Sequence, residues 1–293
     1  MNAEAIEDLN EDKALEENSF PGQTTALSAR QAAEFHERGV LKVNFGLDPI
    51  TLDRIRERVE PQYDEAYRRG ELPNPRVQDA WKTVDEVRQL AVDSRVLEAL
   101  EQLFGRRPLP FQTLNFPAGT RQLAHSDTIH FSTLPAGQMA GVWVALEDID
   151  AENGPLVYYP GSHKLPYYSM QDLGLEPGYS NYPDYEQCVQ KLIAEQRLEP
   201  EYGLVPKGSA IIWHANLLHG GAPQKDVSRS RHSQVTHYFF EGCEYYTPMQ
   251  SSAGKPAYRD PEWIPVAGTA SPRGKSLPRR IWRKLRGKLR LPH

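Results

Sequence analysis

The stretch LPFQTLNFPAGTRQLAHSDTIH, residues 109–130, marks where this chain changes character. Before it, apolar residues recur at helical spacing. From Leu109 onward, short runs rich in β-branched and aromatic residues alternate with turns. Residues 109–116 and 123–130 are the first two such runs, and 141–147, 156–159, 210–214 and 233–240 continue the series. Upstream, Ser28 and Gln31 have the spacing of a capping box, and Gly39 is placed to end the helix they start. Val40, Leu41, Val43 and Phe45 predict a first strand. Asp48-Pro49 reads as an N-cap followed by proline at the first helical position, and Leu52, Ile55 and Val59 continue that helix. Val96, Leu97, Leu100 and Leu103 mark a further helix. A helical layer followed by a run of strands predicts an α+β fold with a mainly β core: a sandwich or jelly roll with helices packed outside. Residues 166–200 are rich in Tyr and Pro with a helical patch at 187–196, and read as an insertion over one end of a barrel.

The chain has 293 residues, and its 39% hydrophobic content is enough for one sizeable core. Its longest apolar runs, 139–146 and 210–213, are strand-sized and fall short of the ~18 residues that span a bilayer. Cys188 and Cys243 stand far apart and outside any CxxC, so neither a disulfide framework nor a thiolate zinc site is expected. The acidic first 23 residues lack the basic and apolar regions of a signal peptide, and a cytoplasmic location is expected. They carry little apolar surface to offset the entropy of ordering, so disorder is expected there. Net charge is −5, but residues 273–293 hold nine Lys or Arg and no acid, which leaves residues 1–272 at −14. An acidic body argues against nucleic acid as the partner.

His125-Ser-Asp127 is the first candidate for chemistry. On a strand, residues i and i+2 share a face, so these two side chains can offer one imidazole nitrogen and one carboxylate oxygen to a single ion. His219 stands 92 residues beyond Asp127, after the run 210–214 and before two glycines expected to form a flexible turn. Two histidines and one carboxylate make a facial triad that leaves open positions on an octahedral iron(II). HxD alone is weak evidence among nine histidines, and two polar residues at a strand end are its bland alternative.

Arg231, Ser233, Val235 and His237 share one face of the run 233–240 extended backwards. An arginine pointing into a barrel is costly unless it meets an anion, and its paired donors match a carboxylate, with Ser233 adding a third. The competing reading is a salt bridge to an internal acid. Arg229 is the alternative register: it follows His219 by ten residues, Arg231 by twelve. His130, His214 and His237 are further candidates, as rival ligands or substrate-facing groups.

The sequence resembles the phytanoyl-CoA dioxygenase family of iron(II)/2-oxoglutarate oxygenases from about Ala29 to Phe240. The resemblance is carried by QAAEFHERG at 31–39, by His125-Ser-Asp127 with His130-Phe131, and by WVALEDIDAENGPL at 143–156. Pro160-Gly-Ser-His163-Lys164, His219-Gly-Gly and Arg231 complete it. It implies a double-stranded β-helix of the jelly-roll, cupin-like kind with an N-terminal helical layer. Three segments are then expected: an acidic terminus at 1–23, the oxygenase domain at 24–265 and a basic tail at 266–293. The resemblance implies iron held by His125, Asp127 and His219, and Arg231 paired with the C5 carboxylate of 2-oxoglutarate. It places Trp143 and Gln112 against the co-substrate and makes His163 structural, in the Pro-Gly-Ser-His turn. The family arginine commonly stands eleven residues past the distal histidine, and Ser233 with His237-Tyr-Phe restores that register around Arg231. Dioxygen and a small organic or lipid-like molecule are the expected partners, and the intact Asp127 favours hydroxylation over halogenation.

Two alternatives are a cupin-like metal enzyme that does not use 2-oxoglutarate and a non-catalytic barrel that binds a ligand or partner. Substrate contacts are expected from residues 166–200 and from the segment after Phe240, with Tyr245, Tyr246 and Met249 as candidates. In the tail, Leu277, Ile281, Leu285 and Leu289 form an apolar stripe beside Trp282 among cations. Such a segment can lie on an anionic membrane or dock on a partner chain.

Overall fold

Period-two alternation in the central strands decides the layers. The computed structural model describes residues 26–63 and 76–268. In chain order its helices are α1 (Ala29–Arg38), α2 (Pro49–Val59), α3 (Asp85–Ala91), α4 (Ser94–Phe104) and α5 (Tyr182–Glu195). The strands of the first half are β1 (Val40–Asn44), β2 (Val77–Gln78), β3 (Pro108–Phe116), β4 (Ser132–Leu134), β5 (Met139–Ala145) and β6 (Leu156–Tyr158). Those of the second half are β7 (Glu201–Tyr202), β8 (Ser209–His214), β9 (His219–Gly221), β10 (Ser233–Phe240) and β11 (Glu244–Tyr246).

The main sheet has the order β1-β8-β5-β10-β3-β2, antiparallel throughout. A three-stranded sheet, β7-β6-β9, and the pair β11-β4 complete the double-stranded β-helix. Across the main sheet Val142 pairs with Ile212 and Val144 with Ala210, and these residues pack with Leu52, Ile55, Val87 and Leu100 of the helices. One residue out of phase, Trp143 pairs with Ile211 and Val235, and these pack with Leu156 and Tyr158 of the smaller sheet. Both faces are thus covered, so β5 and β10 are buried at every position. Each fully buried Leu, Ile or Val contributes about 1.5–3 kcal/mol.

The local signals of the first helices are realised. Ser28 and Gln31 form the reciprocal capping box of α1, and Gly39 ends it in the left-handed conformation at φ 74°. That glycine is also needed for space, because a Cβ would lie 2.3 Å from His163 Nδ1. Asp48 caps α2 through the amides of Ile50 and Thr51.

Three local expectations change. Residues 123–130 are not a strand: His125 makes an isolated bridge with His219, and Asp127–Ile129 is a 3₁₀ turn. The glycines after His219 are not a flexible turn but part of β9, paired with β6. A Cβ on Gly220 would lie 2.6 Å from the Gln122 carbonyl, so close strand approach explains this glycine. The insertion helix α5 begins five residues before the expected patch, with Pro183 in its first turn. Among the described residues, no helix is long and apolar enough to cross a membrane. The acidic segment 1–23 and the tail stripe from Leu277 lie outside the described residues.

Candidate active site

His125 and His219 are joined before any ligand is considered. Each donates its backbone N–H to the other's carbonyl, at 2.9 and 3.0 Å, so residues 94 apart in sequence become a hydrogen-bonded antiparallel pair. Their rings stand with centroids 4.6 Å apart. His125 Nδ1 lies 3.1 Å from the Leu123 carbonyl, and His219 Nδ1 lies 3.0 Å from the Leu217 carbonyl. A carbonyl only accepts, so both Nδ1 atoms carry the proton and both Nε2 atoms keep a lone pair. These two nitrogens each lie 3.9 Å from an oxygen of Asp127.

Asp127 reaches them from the 3₁₀ turn rather than from a strand. Ser126 caps that turn through the Thr128 amide and hydrogen-bonds the Ala215 carbonyl, tying the turn to the segment after β8. The Trp213 indole N–H donates to Asp127 Oδ2 at 2.7 Å and holds the carboxylate. The indole fits because its neighbour on β5 is Gly141, where a Cβ would lie 2.2 Å from the ring.

The three ligand atoms lie within 4.8 Å of one another, and all three residues are buried. Burial, then repulsion from His219, lowers the His125 pKa to about 3, so its imidazole is neutral at physiological pH. Burial pushes the Asp127 carboxyl up, but His219, His237, His125 and the indole outweigh it and hold the pKa to about 2. Two imidazoles that present Nε2 and one carboxylate are the donor set of a facial iron(II) site, and the residues fit the metal.

The triad opens on a cavity of about 420 Å³. Arg231 and Trp143 stand in its wall, as do Gln112 and His237. Arg231 is 2% exposed, and no acid among the described residues lies within salt-bridge distance of it. Its Nη1 donates to Ser233 Oγ at 2.7 Å, its Nε has no partner, and the guanidinium lies 5.7 Å from the Trp143 ring. The Trp143 indole N–H is likewise buried without an acceptor. Burial lowers the Arg231 pKa to about 10, with Glu147 opposing, so the group stays charged. A buried, unpaired cation beside unpartnered donors fits a carboxylate of 2-oxoglutarate. Arg229, by contrast, is on the surface in a 2.7 Å ion pair with Asp150.

The family blocks act as scaffolding. Asn153 donates to the Asp148 and Ser230 carbonyls, fixing the chain just before Arg231. Ser162 Oγ accepts the Leu218 amide at 2.9 Å and so anchors the residue before His219. His163 contacts the His36 carbonyl, and its own carbonyl accepts from Asn216, a structural placement. His237 Nδ1 donates to Gln112 Oε1 at 2.9 Å and turns Nε2 towards Asp127 at 3.8 Å. His130 lines the cavity against Tyr179, whereas His214 packs outside it on Phe104 and His163.

The expected substrate contacts are partly corrected. Tyr179 represents the insertion in the wall, but Tyr245, Tyr246 and Met249 do not line the cavity. Tyr245 stacks on Phe239, and Met249 is buried under the insertion. Trp213, Arg76 and Arg259 were missed. A tryptophan within an apolar run reads as core, and Arg259 lies beyond the last strand the pattern identified.

The fold is a double-stranded β-helix, and its centre carries the donor set of a facial iron(II) site. Residues 35–233 match the family model for phytanoyl-CoA dioxygenase, and the chain belongs to that family. It is 23% identical over 238 residues to a probable phytanoyl-CoA dioxygenase of Caenorhabditis elegans, covering 70% of this chain and 73% of that protein. It is 29% identical over 138 residues to the peroxisomal phytanoyl-CoA dioxygenase of Rattus norvegicus, covering 45% of this chain and 38% of that one. The iron-bound structure of EctD from S. alaskensis superposes with a TM-score of 0.62 at 18% identity, over 85% of this chain and 89% of that one. The α-ketoglutarate-dependent carbocyclase SnoK from nogalamycin biosynthesis gives 0.61 at 18% identity, over 80% and 95%. At such identities the two structures speak to the fold.

Proposed function

We propose that this protein is an iron(II)- and 2-oxoglutarate-dependent dioxygenase that hydroxylates an unactivated C–H bond of a small organic or lipid-like substrate. The observation that carries the reading is Arg231, a buried cation with no acid partner among the described residues, in the same cavity as His125, Asp127 and His219. A bound iron(II) supplies the redox chemistry that couples decarboxylation of 2-oxoglutarate to insertion of one oxygen atom into the substrate. In the balance, R–H, O₂ and 2-oxoglutarate give R–OH, succinate and CO₂.

The residues orient and shield. His125 and His219 offer Nε2 because their Nδ1 protons are held by backbone carbonyls. The Trp213 indole holds Asp127, fixing which face of the carboxylate meets the metal. Arg231 and Ser233 receive the distal carboxylate of 2-oxoglutarate, with Trp143 beside them. Gln112 acts through His237: it holds the Nδ1 proton and so turns the Nε2 lone pair towards the centre, while burial keeps the imidazole neutral. The test is succinate release from 2-oxoglutarate with and without iron(II). Iron-dependent release supports the reading, and release that ignores iron or its chelation sinks it.

Unpaired Cys188 and Cys243 fit a reducing, cytoplasmic compartment. The basic residues 273–293 favour peripheral contact with an anionic membrane or a partner chain. Vesicle co-sedimentation with and without that segment tests the membrane arm, and equal sedimentation overturns it.

A further inference from the structure

The cavity wall carries positive charge that the co-substrate does not use. Arg76 and Arg259 both stand in its wall, and Asp127 is the single carboxylate there among the described residues. With iron(II) and 2-oxoglutarate bound, the metal cancels the co-substrate's two charges, and Asp127 cancels Arg231. Arg76 and Arg259 are left over.

Arg259 is built into the wall. Its guanidinium lies 4.7 Å from the Phe131 ring and 5.9 Å from the Phe111 ring. Its Nη1 donates to the His130 carbonyl at 3.0 Å, while the Arg259 backbone amide is held by the Tyr245 carbonyl at 2.8 Å. No acid of the described residues pairs with it. Burial lowers its pKa from the ordinary arginine value, as expected of a cation without a counter-charge. Rings on one side and a carbonyl at one nitrogen leave the rest of the fork for a ligand in the cavity.

We propose that Arg259, assisted by Arg76 at the rim, binds an oxyanion of the substrate, a carboxylate or phosphate, and so sets which carbon faces the metal centre. This rests on the iron/2-oxoglutarate reading above and names the substrate class for that site. The anion docks at Arg259, over Phe111 of β3, whereas Arg231 lies over Phe116 of the same strand, so two arginines hold two anions apart in one site. A neutral substrate would leave Arg259 desolvated without a counter-ion.

The test uses anaerobic protein loaded with iron(II) and 2-oxoglutarate. Formation of that complex, read by its visible charge-transfer absorption, is scored first, and its absence counts against the iron/2-oxoglutarate reading alone. The complex is then titrated by calorimetry with matched probes: aliphatic carboxylates and their amides, and alkyl phosphates and their alcohols. The two charged series tell carboxylate from phosphate. Anionic members should bind and neutral partners should not. Arg259→Gln should weaken the anions about tenfold or more, Arg259→Lys should recover part of the loss, and Arg76→Gln should cost less. Arg76 is exposed, so that variant keeps the test alive even if Arg259→Gln fails to fold. Equal binding of neutral partners, no anion binding by an intact complex, or full anion affinity in both Arg259→Gln and Arg76→Gln overturns the proposal.

Discussion

The two faces of the main sheet are equally buried and chemically opposite. On the outer face, Val142, Val144 and Ile212 pack with Leu100 in an apolar layer that also buries the neutral Gln234 and Asn115, hydrogen-bonded to each other. On the inner face, one residue out of phase, Trp143 shares the cavity with Arg231, His237 and the three ligands. Burial therefore does not tell structure from function here. What tells them apart is charge. The outer face buries neutral polar groups such as Thr113, Asn115 and Gln234. The inner face buries the Arg231 cation, with Arg231 Nε and Trp143 Nε1 left without an acceptor. Native cores rarely leave such groups unpaired unless something else is meant to pair with them.

The comparison breaks most plainly at the triad. His125→Ala, Asp127→Ala and His219→Ala should each reduce turnover to background while circular dichroism and Tm report an intact fold. Turnover near wild type in any one of them removes that residue from the centre. The next contrast sets Arg231 against Arg229. Arg231→Ala should weaken 2-oxoglutarate by ~2–5 kcal/mol, the loss typical of a buried charge-assisted contact. Arg229→Ala should cost at most ~1 kcal/mol, as an exposed pair does. The opposite ranking, read by calorimetry, would place the anchor two residues earlier.

An outer-face truncation should show the reverse signature. Leu100→Ala should cost ~2–5 kcal/mol of stability through the cavity it leaves. Folded molecules should keep their affinity for 2-oxoglutarate, and a parallel loss of affinity would mean that the faces are coupled.

Acid tests the same contrast through four buried imidazoles. Burial lowers His125 to about 3 and His130, His214 and His237 to about 4. Their unfolded values lie near ~6.5, so between about pH 6.5 and 4 the unfolded chain binds more protons than the folded one. Stability is thus complete above ~6.5 and falls with acid, by at most ~1.4 kcal/mol per pH unit for each imidazole. The Tm of metal-free protein should be lower at pH 5 than at pH 7.5, and a flat profile would mean these rings are protonated in the fold. Smallest is Trp213→Phe, which keeps the ring but removes the hydrogen bond to Asp127. Metal affinity should drop ~10–100-fold with little change in Tm, and an unchanged affinity would show that the indole only fills space.

The sequence by itself determined the elements and most of the donor set. Capping chemistry is local, so Ser28, Gln31, Gly39 and Asp48 announced α1 and α2. Runs of β-branched and aromatic residues are local too, so β3, β5, β8 and β10 were legible within a residue or two. His125, Asp127, His219 and Arg231 could be named because a family pattern records their order along the chain.

Tertiary structure alone decided how they meet. The expected strand through His125 and Asp127 gave way to a bridge and a 3₁₀ turn, because the partner that pairs with His125 is His219, 94 residues away. Arg231 and Arg229 were ambiguous by spacing, and only the fold of the loop pinned by Asn153 and Pro117 put one inside and the other on Asp150. The same holds for Trp213, whose indole reads as core until Gly141 on the next strand gives it room to reach Asp127. Arg259 enters the wall from beyond the last central strand, where no periodicity marked it. In each case the deciding term is a contact between segments far apart in the chain, which spacing along one segment does not encode.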